Sequence, residues 1–364
     1  MALKKKLTLV VGARPNFMKA APLMDAIIKS GRFEARLIHT GQHFDKNMSE
    51  VFFDQLGLPK PDRYLDIHEG NPAKQVGETI IALDQEFATH TPDLVIVFGD
   101  VNSTLAAAVS ANKNYLRLAH VEAGLRSFDR TMPEEHNRIV TDFLSDFLFT
   151  PSRDADENLI NEGISQERIF FVGNIMVDSL LRFREPAEER RAWESYGVKT
   201  GEYGLVTLHR PSNVDREREL YEVVEAFVQI QKEIPLLFPL HPRTRKQLGA
   251  GLLSELEGSG IKILEPLGYL EFLSLMSKAR IVLTDSGGIQ EETTVLGIPC
   301  LTLRENTERP ITIKMGTNRL VGNGVAGILK GFHEAMNSRT QAIQPEYWDG
   351  KTASRIEKIL GLAI

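Results

Sequence analysis

The chain has 364 residues, of which 42% are hydrophobic and 25% charged, with a net charge of −6 at pH 7 and a pI near 5.9. That length is long for a single core and makes two α/β domains the natural expectation, and the acidic balance argues against a nucleic-acid partner. The single cysteine, Cys300, excludes an intramolecular disulfide and points to a reducing compartment, while the apolar run behind Lys4-Lys5-Lys6 is too short for a leader or a membrane span; a cytoplasmic protein without a membrane partner is expected.

Short apolar runs alternate with longer helical patterns, which predicts an α/β fold of two Rossmann-like, doubly wound domains facing a cleft. The first series of strands is read at Leu7–Val11, Ala35–His39, Leu94–Phe98, Leu118–Val121, Phe147–Thr150 and Ile169–Val172. Helical patterns lie between them at Met18–Ser30, Lys74–His90, Ser103–Lys113 and Glu134–Leu144. A second series follows at Gly204–Thr207, Leu236–Pro239, Lys262–Leu264, Ile281–Thr284 and Cys300–Leu303. The domain boundary is placed near Val172–Asn174, ahead of the charged, proline-bearing stretch Glu185–Arg191. The expected domains are therefore 1–172 and 173–350, with an amphipathic terminal helix in 351–364.

In such folds ligands gather at the carboxyl ends of the strands, so the polar residues there are the candidates for function. The first turn, Gly12-Ala13-Arg14-Pro15, puts Arg14 in the loop and Lys19 about a turn into the helix. It lacks the GxGxxG pattern of a dinucleotide cofactor. Two cations oppose the helix dipole there, so they either meet an external anion or are solvated surface charges. Asp100 follows the third strand, as an N-cap or as a functional acid, and Glu122 follows the fourth. Pro133 starts a helix whose dipole accounts for one of Glu134 and Glu135 but not for Glu122, and Arg138 lies one turn on. Asp100, Glu122 and Glu134 would then line one rim, where close carboxylates push their pKa values apart and supply an acid and a base.

The second series repeats the arrangement. His209-Arg210 with Asn213, and His241, end two of its strands. Phe272 offers an aromatic face to a base, or a core side chain. The run Asp285-Ser286-Gly287-Gly288 after an apolar strand makes an anion seat at a helix start, with Ser286 as N-cap on the bland reading, and Glu292 one turn on can reach a ribose diol. Arg309 stands where a later loop meets the cleft. The set describes a nucleotide diphosphate held by the second domain and a reacting group presented to the first.

These motifs together resemble the non-hydrolysing UDP-N-acetylglucosamine 2-epimerases, a family with the GT-B fold. The resemblance is carried by Gly12-Ala13-Arg14-Pro15, Thr40-Gly41-Gln42-His43, Gly99-Asp100 with Asn102-Ser103-Thr104, His120-Val121-Glu122-Ala123-Gly124-Leu125-Arg126, Pro133-Glu134-Glu135 with Asn137-Arg138, His209-Arg210, Asp285–Glu292 and Thr307-Glu308-Arg309-Pro310. It implies exchange of UDP-N-acetylglucosamine and UDP-N-acetylmannosamine through elimination of UDP to 2-acetamidoglucal and re-addition. It also implies no metal or other cofactor, a homodimer, a product used for cell-surface polysaccharide, and a last helix packed on the first domain. The resemblance assigns catalytic roles to Asp100, Glu122, Glu134 and His209. Arg14, Lys19, Ser286, Gly287, Gly288 and Arg309 would grip the diphosphate, Phe272 the uracil and Glu292 the ribose, with Arg138, Arg210, Asn213 and His241 also at the substrate. Phe44–Met48 and Asp66–Gly70 depart from the family's allosteric pattern, so little activation by substrate is expected. Arg309-Pro310 is read as favouring the N-acetylglucosamine nucleotide over the diacetamido uronic acid nucleotides that related epimerases use. A GT-B glycosyltransferase, a hydrolysing epimerase and a silent nucleotide-sugar binder are the rival readings.

Overall fold

Seven parallel strands make the sheet of the first unit: β1 Lys5–Val11, β2 Phe33–His39, β3 Arg63–Tyr64, β4 Leu94–Phe98, β5 Arg117–Val121, β6 Phe147–Thr150 and β7 Ile169–Phe171, in the order β3-β2-β1-β4-β5-β6-β7. β4 is buried along its whole length, as a strand covered by helices on both faces must be, which is why its sequence is an unbroken apolar run. The computed structural model describes residues 4–41, 53, 56–68, 70–338 and 343–364. The motif residues Gln42 and His43, the segment Phe44–Met48 and Glu69 lie outside these, as does the side chain of Arg14.

The second unit has six parallel strands: β8 Gly204–Thr207, β9 Leu236–Pro239, β10 Lys262–Leu264, β11 Ile281–Thr284, β12 Cys300–Thr302 and β13 Asn318–Leu320, in the order β10-β9-β8-β11-β12-β13. Its core joins Val206, Phe227, Phe238, Leu283 and Phe332. In each sheet the winding reverses between two neighbouring strands, β1 and β4 in one and β8 and β11 in the other. A ligand crevice opens at such a switch point. The sequence reading missed β3 and β13, short edge strands that carry Arg63 and Arg319 and have no apolar run.

The chain divides into 1–179 with 346–364, and 180–345. The first crossing therefore falls inside the helix Ile175–Glu189 rather than at 172, and the return begins at Glu346 rather than 351. Hydrogen bonds explain both shifts. Asp178 accepts from the backbone N–H groups of Thr352 (3.1 Å) and Ala353 (2.8 Å), so the head of that helix is tied to the terminal one. Buried Trp348 donates from Nε1 to Pro151 O at 2.9 Å. The helix Thr352–Ala363 packs on Arg14–Ser30, and Glu357 pairs with Arg32 at 2.6 Å. Among the described residues no helix is long and apolar enough to cross a membrane.

Candidate active site

The first unit's site begins where Asn16 ties two strand ends together. Its Oδ1 accepts from the N–H groups of Gly12 (3.1 Å) and Ala13 (3.2 Å), and its Nδ2 donates to Phe98 O (2.9 Å). The helix Arg14–Ser30 starts there, earlier than the expected Met18, with Pro15 at its head. Lys19 lies one turn in, buried, and its ammonium pairs with the carboxylate of Glu122 beyond β5. Glu122 has a φ of 74°, a left-handed backbone that a non-glycine residue adopts only when its surroundings impose it.

Asp100 pairs with Arg138 Nη2 at 2.6 Å, and Arg138 Nη1 with Glu135 Oε2 at 2.6 Å. Glu135 is buried and also accepts from the N–H groups of Ser127 and Phe128, each at 2.9 Å. Of the two acids at this helix head, Glu135 thus holds the preceding loop. Glu134 is exposed, and its side chain makes no ion pair or hydrogen bond among the described residues.

A buried histidine lies under both acidic loops. His120 Nδ1 is 2.6 Å from Asp142 Oδ1, and its Nε2 is 2.8 Å from Gly99 O. Asp142 Oδ2 meets Arg126 at 2.7 Å and accepts from Gly124 N at 3.1 Å. Burial works to raise the Asp142 carboxyl, but His120 and Arg126 outweigh it and hold it below the usual carboxylate value.

In the second unit Asp285 organises the ends of β8 and β11. It is buried and accepts from His209 N (3.0 Å), Arg210 N (2.8 Å) and Asn213 Nδ2 (3.3 Å). It also lies 3.0 Å from His209 Nδ1. Burial would push its carboxyl up, but His209 and the N–H donors keep it below the usual value. The pairing orients the His209 ring and leaves Nε2 as its outer nitrogen, on a side chain that is 43% exposed. His241 stacks obliquely on His209, 6.0 Å between centroids, and its Nδ1 caps the helix Pro242–Gly258 through Arg243 N. Asn213 is spent within the unit, donating to Leu303 O at 2.8 Å as well.

The helix Gly287–Leu296 supplies the anion seat. Ser286 makes no side-chain cap there, and no acid occupies the first turn. The first N–H groups of a helix have no intrahelical acceptor and carry the positive end of its dipole. The two glycines serve different needs. A Cβ on Gly287 would stand 2.4 Å from Arg309 Nη1, whereas one on Gly288 would meet nothing within 4 Å. Gly287 makes room for the guanidinium, and Gly288 leaves the space before the helix open.

Arg309 Nε holds Glu291 at 2.7 Å, and Nη1 lies 3.5 Å from Glu308. Glu308 is fully buried, gripped by Arg304 at 2.8 and 2.9 Å and faced by Arg210 at 3.6 Å. Burial opposes its ionisation, yet the arginines hold it far below the usual value. Three guanidinium groups thus meet two carboxylates beside the helix start, a positive excess suited to an anion. Glu292, one turn on, is buried and accepts from Tyr269 Oη at 2.9 Å. Burial, with Glu291 adding to it and Tyr269 opposing, pushes its carboxyl up to about 7. Phe272 is half-buried on the same helix as Tyr269, Tyr269–Lys278.

The candidates therefore divide between the two units. Lys19, Asp100, Glu122, Glu134 and Arg138 belong to the first unit, and His209, Arg210, Asn213, His241, Phe272, Ser286, Gly287, Gly288, Glu292 and Arg309 to the second. Sequence reasoning did not single out Asp142, and it quoted His120, Asp285, Glu291 and Glu308 within motifs without giving them a role. Asp285 was within reach, because it directly follows a buried strand as Glu122 does. His120 and Asp142 become members through each other, 22 residues apart, Glu291 through Arg309, 18 residues on, and Glu308 through Arg304, Arg309 and the distant Arg210.

Comparison with known proteins adds the last finding. The family model described as UDP-N-acetylglucosamine 2-epimerase matches residues 25–361. The chain is 42% identical to the UDP-N-acetylglucosamine 2-epimerase of Methanocaldococcus jannaschii, covering 98% of each. It is 41% identical to the UDP-2,3-diacetamido-2,3-dideoxy-D-glucuronate 2-epimerase of Pseudomonas aeruginosa, over 98% of this chain and 99% of that one. It superimposes with a TM-score of 0.92 on a crystal structure of the M. jannaschii UDP-GlcNAc 2-epimerase in complex with UDP-GlcNAc and UDP, at 41% identity over 98% of this chain and 99% of that one.

Proposed function

The chain belongs to the UDP-N-acetylglucosamine 2-epimerase family, and from that premise we propose that it interconverts UDP-N-acetylglucosamine and UDP-N-acetylmannosamine without net loss of UDP. The C2 hydrogen of the sugar is not beside a carbonyl, so direct deprotonation is slow. Elimination avoids the difficulty: a carboxylate takes the C2 proton, the C1–O bond breaks, and UDP leaves with the electron pair, giving the C1=C2 glucal. A proton then arrives at C2 from the other face, and a β-phosphate oxygen re-forms the bond at C1. The route needs an acid and a base on opposite faces and strong stabilisation of the leaving diphosphate.

The observation that carries this reading over glycosyl transfer is the trio of carboxylates in the first unit. Asp100 and Glu122 stand at neighbouring strand ends, each with its own cation, and Glu134 is exposed at a helix head. We assign the acid and base to this trio. The helix start at Ser286, Gly287 and Gly288, with Arg309, takes the diphosphate, Glu292 the ribose and Phe272 the uracil. His209 Nε2 is assigned to the departing phosphate oxygen. Incubation with UDP-N-acetylglucosamine in heavy water, followed by proton and phosphorus NMR, tests the proposal. The expected result is the N-acetylmannosamine epimer with deuterium at C2 and no accumulating UDP; stoichiometric free UDP and free sugar would overturn it.

A second reading rests on the nearly equal identity to the diacetamido-glucuronate epimerase. Against it stands the Arg309-Pro310 pair, which we read as favouring the N-acetylglucosamine nucleotide; in the protein Arg309 meets Glu291 and Glu308. The ratio of kcat/KM for the two nucleotide sugars decides between them.

A further inference from the structure

We infer that Lys19 is a positioning residue for Glu122, serving proton transfer at C2 rather than the grip on the diphosphate. The inference rests on the epimerase reading above. Lys19 belongs to the helix after β1, and Glu122 to the loop after β5, yet β4 lies between those strands in the sheet. The lysine side chain therefore has to cross the end of β4 to reach its partner. It does so over Gly99, the first residue beyond that strand. A Cβ built on Gly99 would stand 2.7 Å from Lys19 Nζ and 3.6 Å from Glu122 Oε2. Gly99 also has a φ of 61°, so a side chain there is refused by the backbone as well as by the lysine.

Both partners are desolvated, with 7% and 5% of their side chains exposed. A buried carboxylate in a left-handed loop needs a fixed counter-charge to keep one orientation, and Lys19 supplies it. The neighbouring charges are otherwise engaged: Asp100 with Arg138, and His120 with Asp142. A lysine whose ammonium sits on Glu122 is built into the acid–base apparatus of the first unit.

The test is a kinetic cycle of Lys19→Met, Glu122→Gln and the double variant on UDP-N-acetylglucosamine, with C2 exchange in heavy water and UDP affinity by calorimetry. Lys19→Met should lower kcat and C2 exchange by roughly 100-fold, the scale of a general acid–base group, while the Kd for UDP moves by less than about threefold. Added to Glu122→Gln, it should cost almost nothing further, because the lysine acts through the glutamate. A merely structural role would make the two losses additive. Additive losses, or a UDP affinity that falls about tenfold or more with C2 exchange near the wild-type rate, would overturn the inference. If Lys19→Met does not fold, Lys19→Arg enters the same cycle. Wild-type protein that epimerises neither UDP-N-acetylglucosamine nor the diacetamido uronate nucleotide sinks the epimerase reading instead. Lys19 is then judged by the cycle run on urea unfolding, where coupling below roughly tenfold in the unfolding constant counts against the pair.

Discussion

Glu292 provides a prediction in which stability and function pull in opposite directions. The substitution Glu292→Gln keeps the side chain's shape and the acceptor for Tyr269 Oη but removes the ionisable group. In the folded protein burial pushes this carboxyl up to about 7, against an ordinary value of 4.5. Below pH 4.5 the carboxyl is protonated in both folded and unfolded chains, and its contribution to stability is fully present. As pH rises toward 7 the unfolded chain gives up its proton and the folded one keeps it, so that contribution is lost. The interval between 4.5 and about 7, at 1.36 kcal/mol per pH unit, comes to on the order of 3 kcal/mol. Glu292→Gln should therefore match the wild type near pH 4.5 and exceed it by about 3 kcal/mol above pH 7. Urea unfolding of both proteins at a series of pH values measures the difference, in which all other titrating groups cancel. Trp193, in the same unit, reports the transition. Parallel stability curves, or a variant less stable at pH 8, would show that the carboxylate is solvated or paired in the folded state. At pH 8, where the folded carboxyl is ionised, the same variant should bind UDP at least about tenfold more weakly, because it lacks a charged acceptor for a ribose diol.

Further outcomes follow from the two units. Gly288→Ala should unfold at the wild-type temperature, since its Cβ meets nothing within 4 Å, yet bind UDP about tenfold or more weakly because the methyl fills the anion seat; equal affinity in calorimetry would place the diphosphate elsewhere. Gly287→Ala should lose UDP affinity by displacing the Arg309 guanidinium, and unlike Gly288→Ala it should also lower the unfolding temperature. Asp100→Asn should lower kcat by about 100-fold in steady-state assays, and a near-normal rate would return Asp100 to a purely structural role beside Arg138. Trp348→Ala should cost about 3–5 kcal/mol in urea unfolding, because it empties a buried site and orphans Pro151 O; a loss under 1 kcal/mol would show that the returning segment is held by other contacts.

Much of the architecture can be read in the sequence because parallel strands buried on both faces are written as short apolar runs. Leu94–Phe98, Phe147–Thr150, Gly204–Thr207 and Ile281–Thr284 are strands over the expected residues. The strand-end rule likewise leads to Asp100, Glu122, His209 and the Ser286-Gly287-Gly288 turn, since a loop after a buried strand is where a polar side chain needs a reason. The edge strands β3 and β13 escaped because pairing with a neighbour, not local pattern, makes them strands.

What the tertiary structure alone decided is which charge meets which. Lys19 reads as a cation for an external anion until the order of β1, β4 and β5 brings it over Gly99 to Glu122. Glu134 and Glu135 are adjacent and chemically alike, and the return of the Ser127-Phe128 loop onto Glu135, together with its pairing to Arg138, separates them. Arg309 becomes part of a buried cluster because Glu291 of the preceding helix meets it and Arg210, from another strand end, faces its neighbour Glu308. Apolar burial follows periodicity and is therefore local in the chain. An ion pair depends on distances of a few ångströms between residues far apart in sequence, and no spacing rule carries that information.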